Sequence, residues 1–420
     1  MSHFFHMAFR SAWNRRLTLG LTLVAIALSV AMLLGVERLR SEARHGFNLS
    51  ISGTDLVVGA RTSPVQLMLY AAFRIGEATS NISWKSFQDI AQNPLIAWAV
   101  PISLGDSHHG FPVMGTTPGY FKHFQYGASR RLSFVKGEPF QGVFDVVLGM
   151  EVASQLGYAI GDRIILNHGM GEAGLLAHDD KPFIVSGILA PTGTPVDRTL
   201  HISLDGITAI HLNWVGGVPM HGFTIPNEHV RKFDLTPKDI TAVLVGIKAR
   251  AAVFKVQRQI NEYKAEPLLA VMPGVALEQL WQMVGVAEKT LLAVTSMVVF
   301  VGLSGLAAVL LASLNERRRE MAILRAIGAR RRDIFLLMVS ESLLVTLGGI
   351  TLGIIFLSVA SLALTPWVQA NYGIALQPVL VSAAEFKLLV GVLIVGLLAG
   401  FLPGYRAYKM SLIDGLMSRI

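Results

Sequence analysis

Residues 315–333 read Asn315-Glu-Arg-Arg-Arg-Glu-Met-Ala-Ile-Leu-Arg-Ala-Ile-Gly-Ala-Arg-Arg-Arg-Asp333, and they lie between two long apolar runs. Seven arginines fall here: Arg317, Arg318, Arg319, Arg325, Arg330, Arg331 and Arg332. A basic cluster between two membrane spans must sit on one side of the bilayer, and the positive-inside bias places it in the cytoplasm. Inside the cluster Met321, Leu324 and Ile327 keep an apolar stripe at helical spacing, with Ile323 beside it. The expectation is a short cytoplasmic helix with a docking face. The competing reading, a solvated loop whose arginines only set orientation, requires no such stripe.

Working outward, four stretches are apolar enough to span. Residues 17–36 and 291–314 carry no charge, 334–364 carry only Glu341, and 388–403 form a shorter run that extends to 386–404 if Lys387 snorkels to the interface. A span needs roughly 20 residues at about 1.5 Å rise each. The first stretch has the basic flank of a signal peptide (Arg10, Arg15, Arg16). Its apolar run is too long, however, and it ends in Glu37-Arg38-Leu39-Arg40 rather than in small residues, so an uncleaved anchor is expected. Hydrophobic residues make up 52% of the chain and mean hydropathy is +0.52, which excludes an ordinary soluble protein of this size.

Orientation follows from the loops. The 315–333 loop is rich in arginine whereas 365–385 contains no basic residue, so both termini are expected in the cytoplasm. The expected order is a cytoplasmic amphipathic segment (1–16), span 17–36, an outer domain (37–289), span 291–314, the cytoplasmic helix (315–333), span 334–364, an outer loop (365–385), span 386–404 and a cytoplasmic tail (405–420). Arg38, Arg40 and Arg44 weigh slightly against this, although large translocated domains cross regardless of charge. The formal charge of +8 concentrates in 1–16, 315–333 and 404–420. The basic balance therefore reflects topology, not nucleic-acid binding. The absence of cysteine excludes disulfides and thiolate metal sites.

The 37–289 segment is expected to be α+β. Strands are read at 97–104, 143–149, 163–166, 183–189 and 242–247, and helices at 151–156 and 254–263. Helical stalks are expected at 37–50 and 275–289, where Leu277, Leu280, Trp281 and Val284 share one face. The fold class is thus a membrane protein of four transmembrane helices with a large α+β extracytoplasmic domain between helices 1 and 2.

This arrangement resembles the permease subunits of the MacB/FtsX-type ABC transporter superfamily. The stretch Glu316-Arg-Arg-Arg-Glu-Met-Ala-Ile-Leu-Arg-Ala-Ile-Gly-Ala329 resembles that family's coupling helix. Leu402-Pro403-Gly-Tyr-Arg-Ala-Tyr-Lys-Met-Ser-Leu-Ile-Asp-Gly-Leu416 resembles its final span exit. Ala8-Phe-Arg-Ser-Ala-Trp-Asn-Arg-Arg16 and Val147-Leu-Gly-Met-Glu-Val-Ala153, with Gly161-Asp162, also fit. The resemblance implies no enzyme activity in this chain, an inner-membrane location in a bacterium and a separate cytoplasmic ABC ATPase that binds ATP and Mg²⁺. It further implies a permease homodimer, a periplasmic adaptor or binding protein, contact with membrane lipid, and mechanotransmission to the outer domain for export or extraction. The alternative within the family is ATP-driven signalling to cell-wall hydrolases. A P-loop needs Gly-Lys-Ser/Thr, and none of the twelve lysines follows a glycine. No cofactor is therefore expected in the chain itself.

For the ATPase-coupling site the expected residues are Arg319, Glu320, Met321, Leu324, Arg325, Ile327 and Gly328, with the apolar side chains docking, the charges fixing register and Gly328 ending the helix. Glu341, the one acid within a span, is expected to serve packing or coupling rather than proton transfer. Gly349, Gly353, Gly396 and Gly400 form small-xxx-small pairs that permit close helix approach. Ten of the twelve histidines fall between His45 and His229. The densest metal donors are His108 with His109, and His178 with Asp179 and Asp180, but none has a helical i, i+4 ligand spacing. Solvated histidines and no metal are the expectation. Gly302-Leu303-Ser304-Gly305 is similar to a rhomboid-type serine motif, yet no histidine follows His229 to serve as a base, which excludes that reading.

Overall fold

The computed structural model describes residues 16–169, 177–215, 218–220, 225–316, 318–326, 328–372 and 381–409. Residues 1–15 of the amphipathic segment read at 1–16, the middle of the loop read at 365–385 and most of the C-terminal tail lie outside them. The chain divides into two compact units, one formed by 1–42, 285–368 and 376–420, the other by 43–284 and 369–375.

Ten helices concern us: α1 (Arg16–Leu49), α2 (Pro64–Phe73), α3 (Trp84–Ala91), α4 (Met150–Leu156), α5 (Leu204–Ile210), α6 (Val253–Asn261), α7 (Pro273–Glu316), α8 (Arg318–Ala326), α9 (Arg331–Tyr372) and α10 (Ala383–Lys409). Four of them, α1, α7, α9 and α10, are long and apolar enough to cross a membrane. Leu19, Ile26, Val30, Leu34, Leu303, Leu306 and Val345 form their buried core, while Leu21, Met297, Phe300, Phe356 and Leu398 are exposed on the outside. Helices that are apolar all round are suited to a hydrocarbon surrounding.

Small residues set how closely these helices approach. A Cβ at Gly349 would fall 2.5 Å from Ile26 Cγ2, and one at Gly353 2.8 Å from the Ala27 carbonyl, so these glycines seat α9 on α1. Gly396 and Gly400 seat α10 on α9, where an added Cβ would meet Thr346 Oγ1 at 2.4 Å and Ser342 Cβ at 2.5 Å. Ser342 Oγ donates to the Gly396 carbonyl at 2.7 Å across this contact. Charges near one end of the bundle are paired. Arg38 Nε lies 3.1 Å from Glu385 Oε1, and Arg40 forms a two-pronged bond to Glu37 at 2.7 and 2.9 Å. The Ser382 N–H donates to Glu385 Oε2 and the Glu385 N–H to Ser382 Oγ, a reciprocal cap at the start of α10.

The other unit is built on one mixed sheet. Its strands are β1 (Leu56–Ala60), β2 (Ile96–His108), β3 (Phe111–Thr116), β4 (Phe134–Gly137), β5 (Asp145–Leu148), β6 (Arg163–Ile164), β7 (Asn167–His168), β8 (Phe183–Leu189), β9 (Leu200–Ser203), β10 (Ala242–Ile247) and β11 (Leu268–Val271). The order is β11-β1-β10-β2-β3-β9-β5-β8-β4, with β7 added on β2 and β6 on β8. The β3/β9 and β5/β8 pairs are parallel and the rest antiparallel.

Successive side chains alternate between two cores. Val57 and Leu244 enter one with α2, Tyr120 and the start of α7, where Trp281 meets Phe47 edge-on at 5.6 Å. Leu56, Val58, Val243 and Val245 enter the other with α3 and α6. A sheet covered on both faces explains why β10 reads Ala-Val-Leu-Val-Gly-Ile without polar alternation. The expected strands at 183–189 and 242–247 and the helix at 151–156 match β8, β10 and α4 within a residue. The chain also contains β1, β3, β9 and β11, which were not anticipated.

Replacing Gly396 by Ala should lower the thermal midpoint of the detergent-purified protein, because the new Cβ has no room; overpacking of this kind costs about 1–3 kcal/mol. Gly391→Ala, where a Cβ meets nothing within 4 Å, should leave the midpoint unchanged or slightly raise it. Equal effects of the two would refute the close approach of α9 and α10.

Candidate functional site

Two places in the chain gather residues with functional chemistry. The first is α8. Gly328, at φ +111°, ends it: the Gly328 N–H donates to the Arg325 carbonyl at 3.1 Å and the Ala329 N–H to that of Leu324 at 3.0 Å. Glycine adopts this backbone without steric penalty. Met321, expected on the docking face, is instead turned inward (6% exposed) against Leu314, Ile334, Met338 and Ala407. Ala322 beside it is buried as well. Ile323 is 50% exposed, and Leu324 and Arg325 are half-buried. Ile327 and the side chains of Arg319 and Glu320 lie outside the described residues. Glu341 is buried, next in sequence to the Ser342 that bridges to α10.

The second place is in the sheet unit. Between Leu104 and Ser107 the β2/β3 register slips by one residue at Gly105, whose φ of +153° favours glycine. Such a bulge re-aims the side chain beside it, here Asp106. β7 pairs with β2 so that His168 stands directly opposite Asp106, and the Gly169 N–H ties down the end of β7 through the Gly105 carbonyl at 2.9 Å. His178 arrives on the turn after 177, and His211 at the C-terminal end of α5.

Among the described residues, Asp106, His168, His178 and His211 bring one ligand atom each to within 4.8 Å of one another. Asp106 Oδ1 lies 3.0 Å from His168 Nδ1, 3.7 Å from His211 Nε2 and 3.9 Å from His178 Nε2; His211 Nε2 lies 3.1 Å from His168 Nδ1. The His211 Nδ1–H donates to the Ile207 carbonyl at 2.9 Å, leaving its Nε2 lone pair facing the cluster. His178 is fully buried, and among the described residues neither of its ring nitrogens has a hydrogen-bond partner. Lys181, also fully buried, bridges Asp180 (2.8 Å) and Asn213 (3.0 Å), fastening the His178 turn to the segment after His211. Burial works to raise the Asp106 carboxyl, but the hydrogen bond from His168 and the closeness of the His178 and His211 rings outweigh it and bring it down to about 2. The hydrogen bond to Asp106 raises His168, and burial lowers His211.

Comparison with known families matches two models: a MacB-like periplasmic core domain over residues 19–263 and an FtsX-like permease C-terminal domain over 292–412. The chain belongs to the MacB/FtsX-type permease family. Together with the four apolar helices, this makes it a multi-pass membrane protein. Among curated relatives, the macrolide export ATP-binding/permease protein MacB of Brucella abortus is 24% identical over 410 residues, covering 93% of this chain and 56% of the relative. Its namesake in Bdellovibrio bacteriovorus is 24% identical over 435 residues, covering 98% and 61%. The chain thus spans little more than half the length of these relatives. The crystal structure of the periplasmic region of MacB from Actinobacillus actinomycetemcomitans aligns with 55% of this chain and 94% of its own, at 9% identity and a TM-score of 0.34.

Of the donors singled out in the sequence, only His178 belongs to the cluster in this permease. His108 is engaged elsewhere, with Nδ1 at 2.7 Å from the Ile165 carbonyl and Nε2 at 2.9 Å from the Tyr158 hydroxyl. His109 and Asp179 are exposed, and Asp180 pairs with Lys181. Asp106, His168 and His211 were missed because 62 residues separate Asp106 from His168 and 43 separate His168 from His211; no local spacing signals their convergence. Nor are the histidines all solvated. His108, His178 and His201 are buried, the last against Tyr120 and Phe121.

Burial, with the nearby Arg74 charge, pushes His201 from an ordinary 6.5 down to about 3. The unfolded chain therefore binds a proton below about 6.5 that the folded one refuses. Stability from this residue is complete above that pH and falls by up to about 1.4 kcal/mol per unit as pH drops toward 3. His201→Leu should flatten the dependence of the thermal midpoint on pH between 6.5 and 4. An unaltered slope would show that His201 is solvated or paired.

Proposed function

We propose that this chain is the membrane-spanning subunit of an ABC transporter that turns ATP binding and hydrolysis by a cytoplasmic ATPase into motion of its sheet domain, outside the membrane, for export or extraction of a substrate. The observation that carries the reading is α8, a short basic helix held between two long apolar ones, with Ile323 presented outward and Met321 as its internal anchor. ATP and Mg²⁺ would be held by the ATPase, and two permease copies would face a pair of ATPases under two-fold symmetry. The assembly would lie in a bacterial inner membrane with both termini and α8 in the cytoplasm. A periplasmic adaptor or binding protein would complete it.

Arg38 and Arg40, which weigh against an outward-facing end of α1, are matched by Glu385, Glu37 and Glu288. They flank the large outer segment, and such segments translocate largely regardless of charge.

In the proposed mechanism, closure of the ATPases displaces α8, and the displacement is passed along α7 and α9. An exposed isoleucine and a half-buried leucine would fill an apolar groove on the ATPase, while Arg325 would supply a directional charge contact. Placing a carboxylate in that groove, by Ile323→Asp or Leu324→Asp, should lower co-purification with the ATPase by at least about tenfold, the cost of burying an unpaired charge. The amount of permease in the membrane should not change. Met321→Ala should instead lower the thermal midpoint of the permease itself, because truncating a buried methionine costs roughly 2–5 kcal/mol of stability. Full ATPase binding and stimulation by both aspartate variants would overturn the assignment of α8.

A further inference from the structure

We propose that Asp106, His168, His178 and His211 form a binding site for a divalent transition metal, zinc above all, built into the sheet domain and separate from the ATPase-coupling helix. Four observations converge on it.

The donor set is three imidazoles and one carboxylate. That chemistry suits zinc-like ions of intermediate softness; it is too nitrogen-rich for calcium or magnesium and lacks the thiolates of a copper(I) site.

The spacing also fits. A tetrahedral ion with bonds of about 2.0–2.1 Å holds its ligand atoms roughly 3.4 Å apart. Four of the six donor separations, 3.0, 3.1, 3.7 and 3.9 Å, straddle that value and all six lie within 4.8 Å, so side-chain rotations of an ångström or so, about the size of these departures, complete the tetrahedron.

The protons are arranged for it as well. With Nδ1–H of His211 committed to Ile207, its Nε2 presents a lone pair inward. The Nδ1–H of His168 is then shared between Asp106 and that lone pair. Shifting this proton to Nε2 of His168, the other neutral tautomer, frees Nδ1 and turns the pair into ligands. An N–H bonded to a carbonyl on the far side of a ligand ring is the supporting shell that metal-binding histidines show.

Finally, among the described residues the fully buried His178 has no hydrogen-bond partner for either ring nitrogen, although an unpaired buried polar group is costly. A metal bound at Nε2 would satisfy one of the two. The partial exposure of His168 and His211, 38% and 27% of their side chains, leaves a way in. Trp214 covers the His178 ring at 4.6 Å and that of His168 at 5.0 Å, shielding the metal once bound.

Four protein ligands leave no open coordination position, so the site is structural rather than hydrolytic. It fastens three elements far apart in sequence: the β2 bulge with β7, the His178 turn and the end of α5. The Lys181 bridge to Asp180 and Asn213 draws together the same two segments and is the protein's own support for the site.

The test uses the full chain, purified in detergent without a histidine tag and stripped with a chelator. Zinc, added alone and followed by desalting, should remain at one equivalent per chain by elemental analysis and raise the thermal midpoint. Cobalt(II) should give the intense visible bands of a tetrahedral site. His168→Gln and His211→Ala should each weaken zinc, measured by competition with a chromophoric chelator, by more than about 100-fold and abolish the cobalt bands. His109→Ala should leave both unchanged. His178→Ala removes a fully buried ring and can fail to fold, so the half-exposed His168 is the deciding position. Its chelator-treated thermal midpoint should match that of the stripped parent, separating metal loss from misfolding. Absence of retained zinc, or retention unaltered in both His168→Gln and His211→Ala, would overturn the proposal.

Discussion

Every polar group placed in hydrocarbon must find its partner within the protein, and the membrane unit is arranged around that requirement. Helices satisfy their own backbone bonds, so what remains is side-chain chemistry. Hydroxyls return to the helix, as Ser29 does to the Ala25 carbonyl and Thr295 to that of Leu291, or cross to a neighbour, as Ser342 does to Gly396. Near one end of the spans, Arg38 is paired with Glu385, and Arg40 with Glu37 and Glu288. The glycines follow from the same condition. With lipid as apolar as leucine, helices gain by packing closely rather than by escaping solvent, and Gly349, Gly353, Gly396 and Gly400 are where that closeness is reached.

The sheet unit is under a different constraint. Covered on both faces, it commits nearly every residue of β1, β5, β9 and β10 to one core or another. Little freedom remains for functional chemistry except where the ladder is interrupted. The interruption at Gly105 turns Asp106 out of the regular register, and the added strand β7 sets His168 across from it. The cluster of donors is thus a consequence of one bulge, one two-residue strand and the Lys181 bridge. A polar network held this firmly by its surroundings is the kind of arrangement that preserves a site within a domain otherwise occupied by packing.

Between these units the chain divides its tasks by chemistry. Basic charge and a small exposed apolar surface sit at α8, suited to a protein partner. Metal-ligating side chains sit in the sheet domain.

Apolar run length and the arginines of 315–333 determined the four long helices, because bilayer thickness imposes a one-dimensional rule that needs no knowledge of contacts. Gly328 and the reading of 183–189 and 242–247 as strands were equally local. Tertiary structure decided what depends on which face meets which neighbour. Met321 and Ile323 are two residues apart and both apolar, yet one anchors α8 inward and the other faces out, a choice made by Leu314, Ile334 and Met338 rather than by periodicity. The same holds for the histidines. His108 next to His109 looks like a donor pair, but both His108 nitrogens are engaged by Ile165 and Tyr158. Asp106, His168, His178 and His211 meet only because a bulge, a strand pairing and a buried lysine fold distant segments onto one point, and coordination chemistry depends on distance in space rather than along the chain.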